Sequence, residues 1–288
     1  MAGAFFSFLN KFDTATVTDQ LGNISPSLPI TNLKDRRLAL KARTTTKFFT
    51  IRVDFGIQKK IDVIGILSTN SKKTTYDQQT LDLNSISVKA SNVSPGGTDV
   101  LNPISSTIFT DNPPQWMPRN FFWPINISGV VGKTARYWEI SVTIDTTDSY
   151  YEIGRIWMGE AIQWEAVDAE WSLTIKDAST LIRSRGQQVY ADVKQKYRKL
   201  NISVSSVSQK WMFGDVNNNP TNLDFQNMFF TSGITGEVLV LPRTGDDTTQ
   251  SRQFMSRTGI YGVIAEEQTI RKIPGDNYSV DLSIEECL

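Results

Sequence analysis

The chain has 288 residues, 39% apolar and 21% charged, and its 30 Lys+Arg are balanced by 30 Asp+Glu. That length suffices for two domains, and the neutral balance argues against the basic stripe that holds nucleic acid. With no histidine and a single cysteine, Cys287, the chain excludes Ser-His-Asp and Cys-His catalysis, histidine-ligated zinc and an internal disulfide.

The first twelve residues, MAGAFFSFLNKF, form a short apolar stretch around Phe5, Phe6 and Phe8. Asn10 and Lys11 interrupt it too early for a signal peptide or a membrane span. It reads either as an arm that docks on a neighbour or covers the core, or as an ordinary first strand. Residues 13–29 are polar and turn-rich. Phe49, Ile51, Val53 and Phe55 then alternate with Thr50, Arg52 and Asp54, which predicts a strand ended by Gly56. Ile61, Val63, Ile64, Ile66 and Leu67 place apolar side chains on both faces, as a strand covered on both sides would. Ile86, Val88 and Ala90 mark a further strand. Residues 95–124 are irregular yet carry Trp116, Met117, Phe121, Phe122 and Trp123. Such a loop either folds back over a sheet edge or presents a contact surface. The glycines before Lys133 do not make a phosphate-binding loop, because Ile127 stands where its first Gly would be.

The strongest pattern spans 136–159, RYWEISVTIDTTDSYYEIGRIWMG. Trp138, Ile140, Val142 and Ile144 alternate with polar partners. The alternation resumes at Tyr151 and Ile153 and changes phase at Ile156 and Met158. One extra residue at Gly154-Arg155 accounts for the slip. The stretch predicts two long paired strands, the second kinked, at the centre of a β-sandwich, with Trp138 and Trp157 as packing residues rather than a sugar platform.

The second half returns to short alternating runs: Trp171, Leu173 and Ile175; Val189, Ala191 and Val193; Leu200, Ile202 and Val204. Residues 219–233 predict the one good helix, with Asn219 as cap, Pro220 at its first position and Gly233 at its end. Strands follow over 237–241, 259–265 and 278–284, with a polar loop over 242–257. Glu266-Glu267 and Glu285-Glu286 are neighbours that point to opposite faces, so neither pair can act on one bond; they read as solvated strand ends. The basic residues Arg183, Arg185, Lys194, Lys196, Arg198 and Lys199 read as a solvated face, with an acidic partner as the alternative.

The first half resembles the galactose-binding-like, or discoidin-like, β-sandwich. The resemblance rests on LPITNLKDRR (28–37), FFTIRVDFG, KIDVIGILSTN (60–70), RYWEISVTID and YYEIGRIWMG. The form with EIGR directly after the late strand resembles that of tailed-bacteriophage tail proteins. SLTIKDASTLIRSRGQQVYADVKQKYRKLNISV and the closing GIYGVIAEE and NYSVDLSIEEC are similar to the downstream parts of such components. The resemblance implies a mainly β protein: an N-terminal arm (1–12), a galactose-binding-like, jelly-roll sandwich (13–165) and a smaller β-rich domain with a helix near 220–232 (166–288). It implies a structural virion protein of the tail tip or baseplate, assembled in the host cytoplasm. Its expected partners are other tail proteins and like subunits in a ring or trimer. Phe5, Phe6, Phe8, Trp116, Met117, Phe121, Phe122 and Trp123 are the expected contact residues. The alternative is a carbohydrate-binding adhesin for a host-surface glycan. No catalysis, cofactor, nucleic acid or membrane insertion is expected. Some members of the fold hold calcium, and Asp13 and Asp35 stand nearby, but their spacing has no loop signature; pairing of Asp35 with an arginine is the preferred reading.

Overall fold

In a computed structural model of the protein, the residues described are 3–69, 85–107, 120–125, 132–143, 150–164, 170–185, 187–214, 223–244 and 249–288. The strands of the first half are β1 (Ala4–Ser7), β2 (Thr16–Asp19), β3 (Ala42–Arg43), β4 (Phe48–Ile61), β5 (Val63–Leu67), β6 (Ser85–Ser91), β7 (Leu101–Thr107), β8 (Phe121–Pro124), β9 (Lys133–Thr143), β10 (Glu152–Ile153), β11 (Arg155–Gly159) and β12 (Ile162–Trp164). The second half adds β13 (Glu170–Lys176), β14 (Thr180–Arg183), β15 (Val189–Asp192), β16 (Tyr197–Ser208), β17 (Glu237–Leu241), β18 (Ile260–Ile264), β19 (Ile270–Ile273) and β20 (Asn277–Glu286). Its helices are α1 (Gln209–Phe213), α2 (Phe225–Ser232) and α3 (Thr249–Thr258). The protein is mainly β, as the alternating runs predict.

A five-stranded sheet, β2-β4-β9-β6-β7, faces a three-stranded sheet, β11-β5-β8. Between them lies one core. Ile51, Val53, Ile86, Val88, Trp138, Ile140 and Val142 come from the first sheet, and Ile64, Ile66, Phe121, Trp123, Ile156 and Met158 from the second. This is a β-sandwich built from the inward half of each alternating run. β9 is its central strand, hydrogen-bonded to β4 on one side and β6 on the other.

The two strands of the 136–159 stretch do not pair with each other. β9 lies in the five-stranded sheet, whereas β11 pairs with β5 in the opposite one. The phase slip at Gly154 has a matching cause. β10 pairs with β3, β11 pairs with β5, and the chain changes partner between them. A Cβ on Gly154 would lie 2.6 Å from the Leu38 carbonyl oxygen, so no larger residue fits that crossing. Gly56 does not end its strand either: it turns at φ +73° inside β4, where the register against β9 shifts between Asp54 and Lys59.

On the outer face of the five-stranded sheet, Glu139 stands directly across from Arg52 and Lys89 on its two neighbours. Both cations reach it, at 2.7 and 2.8 Å. Burial favours the neutral acid, but Lys89 and Arg52 together outweigh it, and the pKa falls below the ordinary value. A depressed acid contributes stability above its unfolded pKa of about 4.3 and loses it as pH falls through the lower folded value. Glu139→Gln is therefore expected to destabilise the protein at neutral pH and to cost less in acid. Urea unfolding of both proteins at neutral pH and at about pH 3, below that unfolded value, checks this; a gap that does not narrow in acid contradicts it.

The second half forms an eight-stranded sheet, β12-β1-β17-β18-β20-β16-β13, with β19 beside β20. β1 pairs with β12 and β17, so the first strand of the chain lies inside the last sheet. The sheet division therefore does not coincide with the boundaries at 12/13 and 165/166. One sheet face carries Phe6, Val238, Val240, Ile202, Val204, Leu282 and Ile284, covered by Met212 of α1 and by Phe225 and Met228 of α2. α2 begins at Phe225 rather than near 220. The Asp224 carboxylate caps it by accepting from the Asn227 N–H at 2.7 Å, while Asn219 and Pro220 lie outside the described residues. Gly233 closes the helix as the sequence predicts, at φ +49°. The expected loop over 242–257 contains α3, whose Met255 is buried between the two halves.

Candidate interaction surface

Six of the eight residues expected at an interface are buried in the chain's own cores. Phe5 faces the sandwich, while Phe6 and Phe8 enter the core under α2. Phe121 and Trp123 fill the sandwich and Phe122 points the other way. They are corrected from contact residues to core residues: Phe5, Phe6 and Phe121 to Trp123 lie in strands covered on both faces, and Phe8, just past the end of β1, is buried beside them. Trp116 and Met117 lie outside the described residues. The 95–124 region is not irregular where it is described: it contains β7, and Phe121 to Pro124 form β8, which pairs with β5 as a strand of the sandwich rather than as a loop laid over its edge.

The three-stranded sheet is covered on its second face by the eight-stranded one. Val63, Leu67, Phe122 and Trp157 meet Phe5, Leu239, Leu241, Met255 and Tyr261 there. This explains why Ile61 to Leu67 reads as apolar on both sides. Trp157 packs edge-on against Tyr261, with ring centroids 5.9 Å apart, and donates to Ser7 Oγ at 2.9 Å. At the rim, the fully buried Arg155 donates to Glu237 at 2.6 Å, to Asp13 at 2.8 Å and to the Lys34 carbonyl at 2.6 Å. Tyr261 also donates to Glu237. Asp13 thus serves an ion pair, with burial holding its pKa above the usual range against the pull of Arg155. Asp35 is bonded to the Arg37 side chain and N–H, which hold its carboxyl well below the usual range. Among the described residues no group of three or more His, Cys, Asp and Glu is placed to hold a metal ion. No helix among them is long and apolar enough to cross a membrane.

The surface left without cover is elsewhere. β14 and β15 form a hairpin paired only with each other. Every residue of both strands is exposed. Cross-strand partners share a face, so Leu181 and Arg183 lie with Ala191 and Val189, and Ile182 lies with Tyr190. Leu181 is 72% exposed and Ile182 62%, so both faces of the hairpin are apolar and bare. The tip is set by Ser184, whose carbonyl accepts from Gln187 and whose N–H donates to the Gln188 carbonyl, both at 2.9 Å. The basic residues around it divide into three sets. Lys194 and Lys196 pair with Asp192 and Asp177. Arg198 is buried against Glu286, which corrects both from solvated to core residues: the pair ties β16 to the last strand. Arg183 and Arg185 are exposed without an ion-pair partner among the described residues.

Two grooves meet at the 266–268 segment. One, of about 500 Å³, is polar and includes Glu170, Asn201, Ser203, Gln268, Arg271 and Asp281. The other, of about 490 Å³, lies against α2 and is lined by Phe229, Phe230, Ile234, Ile270, Glu266 and Glu267. Phe230 is 82% exposed and Ile234 62%. Glu266 is bonded to Lys199 at 2.6 Å, whereas Glu267 is exposed with no ion-pair partner among the described residues. The exposed Phe230 is unsignalled in sequence, where helical spacing marks Phe225, Met228 and Phe229 alone.

No protein-family model matches the chain, and no curated protein matches it in sequence. Among solved structures, the chain is similar to a family 32 carbohydrate-binding module of Clostridium perfringens in complex with galactose, at 13% identity and TM-score 0.37, over 54% of this chain and 99% of that one. It is also similar to a Streptococcus pneumoniae fucose-binding module, at 9% identity and TM-score 0.34, over 53% of this chain and 98% of that one. A chitosan-binding module from Paenibacillus sp. IK-5 gives 14% and 0.36 over 53% and 99%. At these identities and TM-scores, the ligand of one protein says nothing about the ligand of the other.

Proposed function

We propose that the chain is a structural subunit of a phage tail tip or baseplate, assembled in the host cytoplasm, that acts through contacts between folded surfaces and catalyses nothing. One observation carries this reading: the 180–192 hairpin exposes Leu181, Ile182, Val189 and Tyr190 with no core of its own. An isolated two-stranded hairpin is marginal in water, and bare apolar surface of this kind marks a contact site. The tail setting is supported by the sequence resemblance of both halves. Antibody against the full chain, applied to particles of the phage that encodes it and viewed by electron microscopy, tests it. Label at one end of the tail is expected; unlabelled particles, with the chain confined to the infected cell, contradict it.

A second reading, a tail adhesin for a host-surface glycan, is supported by the polar groove around Asn201, Gln268, Arg271 and Asp281. Its amide, guanidinium and carboxylate groups are the partners that sugar hydroxyls take. Trp171, half-buried and edge-on to Phe254 of α3, also lines this groove. A glycan array probed with the full chain discriminates: saturable binding to a sugar favours the adhesin, and none favours the assembly role.

A further inference from the structure

We infer that the hairpin of one copy seats on the groove between α2 and the 266–270 segment of a second copy. This rests on the assembly reading above and names the partner of its contact surface. The two surfaces match in chemistry. The hairpin face of Leu181 and Val189 is apolar and carries Arg183, with Arg185 at the tip. The groove is apolar along Phe229, Phe230 and Ile234 and acidic at Glu266 and Glu267. Arg183 and Arg185 sit on one surface and Glu267 on the other, none with an ion-pair partner among the described residues, so charge favours this docking and repels hairpin from hairpin. Among the described residues both surfaces stay uncovered, since Leu181 is 72% and Phe230 82% exposed. A groove of about 490 Å³ takes a few side chains, which suits Leu181 and Val189 rather than a whole domain. Two different surfaces joined in this way make a heterologous contact, which closes a ring when the rotation between copies allows and runs on as a filament otherwise.

The test uses the full chain with a photoreactive residue at position 181, followed by peptide mapping and by sedimentation velocity over a concentration series. The expected cross-link joins residue 181 of one copy to the 225–234 segment of another. Arg183→Glu or Glu267→Arg, each on an exposed side chain, is expected to weaken self-association by about tenfold or more, and the two together to restore much of it. Circular dichroism checks that each variant is folded. Cross-links that map elsewhere, a chain that stays monomeric throughout, or folded variants that associate like the parent all overturn the inference. Such a monomer that still labels the tail refutes the self-contact and leaves the assembly role standing. A chain that associates as described but is absent from particles does the reverse.

Discussion

Arg155→Met is expected to destabilise the protein by about 3–5 kcal/mol, the cost of leaving a buried charge without its partner. The replacement keeps an apolar stem of similar length but removes three hydrogen bonds, to Glu237, Asp13 and the Lys34 carbonyl. Glu237 is then stranded, held by Tyr261 and by the mostly exposed Arg36 at 3.6 Å. Because the ion pair joins β11 of the sandwich to β17 of the second sheet, its loss strikes both halves together. Adding Glu237→Gln to Arg155→Met is expected to return part of the loss, since the uncompensated charge goes with it. Urea unfolding of parent, single and double variants measures this cycle. A single variant within about 1 kcal/mol of the parent contradicts it.

Phe6→Ala is expected to cost a similar amount, about 3–5 kcal/mol. Phe6 is fully buried and stands edge-on to Phe225 of α2, with ring centroids 5.2 Å apart. Its strand is hydrogen-bonded on both sides, to β12 and β17, so the cavity opens inside the sheet, one strand from its edge. The neighbouring Phe5 and Ser7 belong to the contact with the sandwich. Unfolding is therefore expected to remain a single transition, followed alike by fluorescence and by circular dichroism. Two separated transitions would mean that the halves are independent.

What the sequence made legible was local. Alternation located β4, β9 and the inward faces of β6 and β16, because each has one wet side. The both-sided apolar run at β5 rightly announced a strand covered twice, without saying by what. Partnership was hidden, because β9 and β11 are neighbours in sequence but belong to opposite sheets, and nothing in an alternating pattern names the strand across the ladder. The same limit misplaced Phe5 and Phe6, since an apolar terminus looks alike whether it serves another molecule or its own last sheet. Arg198 and Glu286 looked solvated because a charged side chain advertises water until its partner, 88 residues away, is seen. The bare hairpin was hardest to foresee. Val189, Ala191 and Val193 alternate like a core strand, and only the absence of anything packed on them reveals the difference.

The central claim is that the 180–192 hairpin is the part of the molecule completed by another. Hydrogen–deuterium exchange of the full chain, free and in the assembled particle, tests this most directly. The cross-strand amides of β14 and β15 are expected to exchange fast in the free chain, where nothing covers them, and to be strongly protected in the particle. Equal exchange in both states, with protection gained elsewhere instead, would contradict the account.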